Sequence, residues 1–296
     1  MNYNYKDLPV LVTGGCGFIG SHLAETLVKM GAYVTILDSC STGSTKNVDA
    51  FKDNVIVINK SITDPHACLE ATHGKKIVFH LAALVSVPLS VENPSLCNQI
   101  NVEGTFNLLE ASRLNGVERF VFSSSAAVYG NHQGLCSETM ECKPQSPYGF
   151  SKLMGELYCK QYATIYGLKT VSLRYFNVYG NRQNPHGPYA AVVASFRERM
   201  QHNEPIIIYG DGSQTRDFVP VDQVVDANLT LGLLDDAHMK GDIYNVATGI
   251  SISLLELIAI LRQEYPQYDG QIIFEETRPG DLKHSVADCS KYLSLF

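Results

Sequence analysis

Short apolar runs alternate with stretches of helical periodicity along the first part of the chain. Leu8 to Thr13 is an apolar run that ends in Gly14-Gly15-Cys16-Gly17-Phe18-Ile19-Gly20. A helical pattern follows over Ser21 to Met30, and a second apolar run, Ala32 to Leu37, ends at Asp38. Val55 to Ile58, Ile77 to Leu81, Phe120 to Phe122 and Lys169 to Tyr175 read as further strands. Between them, Asn98 to Leu114 repeats Ile100, Val102, Phe106, Leu109 and Leu114 near helical spacing. A longer helix is expected from Pro147 to about Tyr166, with Ser146 as its N-cap. Strands that alternate with helices predict an α/β fold built on a doubly wound parallel sheet.

After Tyr175 the rhythm breaks. Asn177 to Tyr189 is rich in Asn, Pro and Gly and reads as an irregular loop. Helices are expected over Ala190 to Gln201 and Asp222 to Leu234, and strands over Pro205 to Tyr209, Asp242 to Val246 and Gln271 to Phe274. Ser253 and Glu256 have capping-box spacing at the start of another helix. The pattern predicts two unequal domains: residues 1–176 with 217–247 form the larger, and residues 177–216 with 248–296 a smaller α/β lobe.

The first unit is strand, glycine turn, helix, strand, acid, which is the layout of a dinucleotide site. Gly14 permits the tight turn, Gly17 lets a pyrophosphate approach the helix N-terminus, and Gly20 allows the helix to pack close to the strand. Asp38, eighteen residues after Gly20, would bond the adenosine ribose. Its charge repels a 2'-phosphate, and the next cation is only at Lys46, so the expected cofactor is NAD. Ser61 and Ile62 should lie where adenine rests, and Leu81, Ala82 and Ala83 where the chain passes the ribose. His80 sits on an apolar strand and reads as a packed core histidine rather than a base. Asn101 reads as a surface residue, with a buried bracket between strands as the alternative.

The strand at Phe120 runs into Ser123-Ser124-Ser125, and Tyr148 and Lys152 stand four apart on one helix face. This geometry suits proton transfer. A free tyrosine has a pKa of about 10, and bringing it to roughly 7 needs about 4 kcal/mol. The Lys152 ammonium, the helix N-terminus and a cationic cofactor are expected to supply that. Ser125 can bond the same substrate hydroxyl and relay its proton. Arg216 and Arg278 both lie beside turns and can clamp a diphosphate; the other reading is a pair of solvated surface arginines.

Composition narrows the classes. The 296 residues carry a net charge of −7 with no basic block, which argues against nucleic acid as a partner. Met1 to Asp7 is polar without a signal-peptide pattern, and the apolar stretches are too short to span a bilayer, so a soluble, cytoplasmic protein is expected. The eight cysteines form no C-x-x-C pair and read as reduced thiols with no metal site.

Taken together, TGGCGFIG (13–20), HLAA (80–83), NVEGTFNLLEA (101–111), SSSAAVYG (123–130), PYGFSK (147–152), RYFNVYG (174–180), GDGSQTRDF (210–218) and RPGDLKHSVAD (278–288) make the chain resemble the extended short-chain dehydrogenase/reductase family. It is most similar there to nucleotide-sugar epimerases of the UDP-galactose/UDP-N-acetylglucosamine 4-epimerase type. The resemblance implies NAD recycled within each turnover and a UDP-sugar carried through a 4-keto form, with Tyr148, Lys152 and Ser125 as catalytic residues. It implies cofactor contacts at Gly14, Gly17, Phe18, Ile19, Asp38, Ser61, Ile62, Leu81, Ala82, Ala83, Asn101, Ser123, Tyr148, Lys152 and Tyr175. It implies substrate contacts at Ser86, Ser125, Tyr148, Asn177, Ala191, Val192, Tyr209, Arg216, Arg278, Asp281 and Ser285. It also implies a homodimer formed by the helices at 98–114 and 148–166. The family usually has Asp where this chain has Ser61, and its members generally continue with a further helix past Asp288.

Within the family, 4,6-dehydratases carry an Asp-Glu pair just before V-Y-G, and UDP-glucuronate decarboxylases carry Glu at the second place. Ala126 and Ala127 stand there and argue against both. Asp38 argues against an NADPH-dependent reductase. The retained Ser125, Tyr148 and Lys152 argue against a non-catalytic NAD-sensing module. Ser285 stands where related epimerases flank the sugar 2-substituent; serine leaves room for an N-acetyl group, and tyrosine restricts the pocket to plain hexoses. The expected substrates are UDP-N-acetylglucosamine and UDP-N-acetylgalactosamine, with a UDP-glucose 4-epimerase or another nucleotide-sugar-modifying enzyme as the alternative.

Overall fold

The computed structural model describes residues 4–132, 134–185, 192–277 and 283–296. The first half runs β1 (Pro9–Thr13), α1 (Phe18–Lys29), β2 (Tyr33–Leu37), β3 (Val55–Ile58), α2 (Pro65–Thr72) and β4 (Ile77–His80). It continues through α3 (Val87–Glu92), α4 (Pro94–Asn98), α5 (Gly104–Leu114), β5 (Arg119–Ser125), α6 (Pro147–Tyr166) and β6 (Lys169–Tyr175). The remainder is β7 (Asn177–Tyr179), α7 (Val192–Gln201), β8 (Ile206–Tyr209), β9 (Thr215–Pro220), α8 (Val221–Gly232) and β10 (Lys240–Val246). The last described elements are β11 (Ser251–Ser253), α9 (Leu254–Glu264), β12 (Ile272–Glu275) and α10 (Ser290–Leu293).

The main sheet has seven strands in the order β10-β6-β5-β4-β1-β2-β3, and each neighbouring pair is parallel. Strand order reverses at β1, between β2 and β4, so the crevice of a doubly wound sheet opens at the ends of these strands. The two-residue period of β1 sends Val10 and Val12 to one face, with Leu23, Leu27 and Val224, and Leu11 to the other, with Leu108, Phe120 and Cys159. A three-stranded sheet, β11-β9-β7, and a two-stranded one, β12-β8, lie outside it. Val193, Phe196, Ile206, Ile208, Leu257 and Leu261 form the core beside them.

Most expected elements are present with ends displaced by one to three residues. The helix expected to run unbroken from Asn98 to Leu114 is different. A π-helical turn, Gln99–Glu103, separates α4 from α5. Ser146 caps α6 by accepting the Gly149 amide at 3.1 Å, and Ser253 with Glu256 forms the expected capping box. None of the eight cysteines is in a disulfide. Among the described residues no helix is long and apolar enough to cross a membrane.

Helix α6 lies hard against β5. A Cβ added at Gly155 would stand 2.3 Å from Cζ of Phe122, a fully enclosed ring. Gly155→Ala therefore overpacks this contact and is expected to cost about 1–3 kcal/mol, read as a lower urea midpoint at unchanged slope.

Candidate functional site

The glycine turn is shaped by close approach. Gly14 has a φ of +70°, and a Cβ there would stand 2.8 Å from the Ala82 amide nitrogen. Only glycine lets β1 and the end of β4 pass so closely. The Leu81 amide reaches the Thr13 carbonyl at 3.2 Å, and the Ala82 amide reaches Thr13 Oγ1 at 3.2 Å. A Cβ at Gly20 would stand 2.1 Å from the Gly14 carbonyl oxygen. Helix α1 begins here at Phe18 with Gly17 as N-cap and no side-chain cap. Its first-turn amides, at Phe18 and Ile19, are thus left for an anion.

Asp38 is buried, and its carboxylate is anchored. Oδ2 accepts the Cys16 amide at 2.8 Å, and Oδ1 accepts the Cys40 amide at 2.8 Å. Cys40 takes a left-handed φ of 53°. A carboxylate offers about four acceptor positions, so two remain for ribose hydroxyls. The uncapped helix start, the glycine cradle and this acid fit an NAD molecule. Ser61 Oγ is engaged locally with Thr63, accepting its amide at 3.2 Å and its hydroxyl at 2.8 Å. The Ile62 carbonyl is held by Asn107 Nδ2 at 3.3 Å.

Strand β5 and helix α6 bring Ser123, Ser125, Tyr148 and Lys152 together. Lys152 Nζ donates to the Ser123 carbonyl at 2.8 Å and sits 5.9 Å from the centre of the Tyr148 ring. Ser125 Oγ accepts the Ala127 amide at 3.2 Å, capping the turn Ala126–Val128. The Tyr148 amide donates to Ser90 Oγ at 3.1 Å, which ties the start of α6 to α3. Ser86 caps α3 by accepting the Leu89 amide at 3.2 Å. The Tyr175 hydroxyl is turned into the fold, 2.9 Å from Ser123 Oγ and 3.0 Å from Asn228 Oδ1.

In the chain without its cofactor, burial raises the Tyr148 pKa, with the Ser125 hydrogen bond pulling the other way; the downward shift expected for Tyr148 counts on the positive charge of bound NAD as well. Lys152 is itself buried and is pushed down to about 8 by desolvation. His80 is the packed core histidine expected. Its ring lies between Thr13 Oγ1 at 2.8 Å and Thr105 Oγ1 at 2.9 Å. Burial, with the Lys152 charge, pushes it down to about 3.

Asn101 is buried, against the surface reading. Its Oδ1 accepts the Leu84 amide at 2.7 Å, and its Nδ2 donates to the Leu84 carbonyl at 3.0 Å and to Ser151 Oγ at 2.9 Å. It brackets the loop after β4 against α6. The π-helical turn that carries it departs from the 3.6-residue period on which the surface reading relied.

The second cluster lies on β7, β9 and the segment after Lys283. Asn177 Nδ2 donates to the Asp217 carbonyl at 3.3 Å, and Arg216 Nη1 donates to the Thr215 carbonyl at 2.8 Å. The Ser285 amide donates to the Thr215 carbonyl at 3.2 Å, so the buried Ser285 runs beside Arg216. The Tyr209 carbonyl accepts Gln214 Nε2 at 2.6 Å. Val192 opens α7. Ala191, Arg278 and Asp281 lie outside the described residues.

Two features escaped the sequence reading. Asp217 is fully buried: its Oδ1 accepts the Thr248 amide at 2.9 Å and hydroxyl at 2.7 Å, and its Oδ2 accepts the Gly249 amide at 2.9 Å and the Ala287 amide at 3.4 Å. Arg174 and Glu156 form a buried ion pair at 2.7 Å. In both cases the available signal was a charged residue inside an apolar strand pattern, which demands a partner.

These features define a dinucleotide-dependent fold with a Ser–Tyr–Lys centre. The chain belongs to the NAD dependent epimerase/dehydratase family, whose model matches residues 10–247. The putative UDP-glucose 4-epimerase of Methanocaldococcus jannaschii is 40% identical over 289 residues, 97% of this chain and 92% of that protein. The solved UDP-N-acetylglucosamine 4-epimerase of Methanobrevibacter ruminantium, in complex with UDP-N-acetylmuramic acid, is 39% identical with a TM-score of 0.91, over 97% of this chain and 91% of that one. The Thermus thermophilus UDP-glucose 4-epimerase, in complex with NAD, is 38% identical with a TM-score of 0.89, over 97% of this chain and 93% of that one. NAD is the cofactor of this family.

Lys152 is charged below its pKa and neutral above it. The alkaline limb of kcat/KM, which reports the free enzyme, is accordingly expected near pH 8. A limb at the ordinary lysine value of about 10.4 would contradict the desolvated setting of this side chain.

Proposed function

We propose that this NAD-dependent UDP-sugar 4-epimerase interconverts UDP-N-acetylglucosamine and UDP-N-acetylgalactosamine. Tyr148 takes the proton of the sugar C4 hydroxyl and returns it after the keto sugar has turned over. Ser125, hydrogen-bonded to Tyr148, relays that proton, and Lys152 holds positive charge beside the ring. NAD, when bound, supplies the acceptor and donor of the C4 hydride and adds positive charge at the centre. Asn177 and Arg216, with Arg278, bind the diphosphate end. Residues 1–176 with 217–247 serve the cofactor, and 177–216 with 248–296 the UDP-sugar.

Ser285 is the observation that carries the choice of sugar. It is small and buried, on a segment bonded to the strand of Arg216. Ala126 and Ala127, in the turn after Ser125, bring no carboxylate for an elimination. The 40% identical relative named for UDP-glucose supports the narrower second reading, a UDP-glucose 4-epimerase. The test is to incubate the protein with UDP-N-acetylglucosamine and resolve the products by NMR. The N-acetylgalactosamine epimer is expected; conversion of UDP-glucose alone would leave the second reading. Ser285→Tyr should lower N-acetylhexosamine turnover by about a hundredfold or more and spare UDP-glucose. Equal loss of both would sink the Ser285 assignment.

The dimer proposal rests on α6. It buries Gly149, Ser151, Lys152, Gly155, Glu156, Cys159 and Tyr162, while Phe150 is 57%, Leu157 53% and Ile165 61% exposed. A helix that also carries a row of exposed apolar side chains wants a partner, and Phe106 of α5 continues the face, 5.7 Å from Tyr158 between ring centres. Light scattering should show a homodimer that Leu157→Asp converts to monomer; an unaltered mass for the variant would place the interface elsewhere.

A further inference from the structure

We propose that Glu156, clasped by Arg174, is a positioning residue for the Tyr148–Lys152 pair, locking α6 to the end of β5 so that the Lys152 ammonium stays at its working place. This rests on the catalytic reading of Tyr148 and Lys152 given above. Glu156 stands one turn after Lys152 on α6, and both are buried. Its Oε1 accepts Arg174 Nε at 2.8 Å and its Oε2 accepts Arg174 Nη2 at 2.7 Å, a bidentate clasp. Ser124 Oγ also donates to Oε1. Ser124 lies between Ser123, whose carbonyl receives Lys152 Nζ, and Ser125. One helix thus grips consecutive residues of β5 with an amine and a carboxylate. Arg174 is the β6 residue in register with Ser124, so the clasp spans both strands.

Stability alone gives little reason for the arrangement. Both partners have side chains only 2% exposed, and a buried pair often gains nothing over hydrocarbon of the same volume. Arg174 also leaves Nη1 without a partner, while its guanidinium lies 4.6 Å from the Tyr129 ring centre and its Nη2 3.2 Å from Cys142 Sγ. The groups that face Lys152 are Tyr148 and Glu156 from α6, Cys97 from α4 and His80 from β4. Before NAD binds, burial pushes Cys97 and Tyr148 up and His80 down, which disfavours the charged form of each. The Glu156 carboxylate is left as the negative neighbour, and it favours the charged form of Lys152 against desolvation.

The test is the paired substitution Glu156→Leu with Arg174→Met, which removes both charges at similar volume. It is expected to fold with a thermal midpoint close to the parent's. Its kcat should fall by about tenfold at pH 7 with KM nearly unchanged, and the alkaline limb should move down by about one pH unit. A folded double variant with the parent's kcat and pH profile would overturn the proposal and leave the pair a packing feature. If the double variant fails to fold, Ser124→Ala decides. It keeps the ion pair but frees the carboxylate from β5, and should lower kcat and shift the limb in the same direction, by less; no change in either overturns the proposal. Tyr148→Phe is measured alongside: full turnover in that variant would sink the catalytic reading itself, whereas an inactive Tyr148→Phe with an unaffected Glu156 variant sinks only this inference.

Discussion

A parallel sheet covered on both faces leaves its chain free only at the strand ends, and this constraint organises the molecule. The side chains along β1, β4 and β5 are committed to packing, with Val10 and Val12 on one side and Leu11, Val78 and Phe120 on the other. The atoms that reach outward come at or after the last paired residue: the glycine turn after Thr13, Asp38 after Leu37, Leu81 to Ala83 after His80, and Ser125 as the last residue of β5. The glycine turn and the end of β5 that meets Tyr148 and Lys152 therefore lie at the same edge because the topology admits no other place for them.

One buried carboxylate gathers several segments of the smaller lobe at this edge. Asp217 collects amides from 248, 249 and 287 and a hydroxyl from Thr248, while its own carbonyl receives Asn177. Three segments distant in sequence are fixed around one charge, whose four acceptor positions are filled by four donors. The backbone that carries Arg216 is held from one side by Asp217 and from the other by the Ser285 amide on Thr215. A binding surface assembled this way is stiff where the phosphate groups would press on it.

How much of this could be read from the chain depends on how far each partner lies along it. The glycine turn and Asp38, the Ser146 cap and the Ser253–Glu256 box are local devices, and their spacing announces them. His80 was legible because an apolar strand leaves a histidine little choice but to be packed and neutral. Asn101 was misread because one wide helical turn cancels the periodicity used to place it. The burial of Tyr148 and Lys152 was not legible, because the sequence shows a lysine four residues away but not the loss of water around both. Asp217 and its Thr248 partner are 31 residues apart, and Asp217 and Ala287 are 70 apart. Arg174 and Glu156 sit on different elements. No periodicity encodes such pairings, and only the demand of a buried charge for a counter-charge hints that they exist.

The Arg174–Glu156 pair also has a thermal side. Hydration of ions carries a strongly negative entropy, so the hydration that these two groups forgo becomes less favourable as temperature rises. The penalty for hiding them shrinks on warming, while the bidentate contact persists. A clasp that adds little to the folded state in the cold thus costs less as the temperature rises, and the join between α6, β5 and β6 is held relatively better as the rest of the molecule loosens.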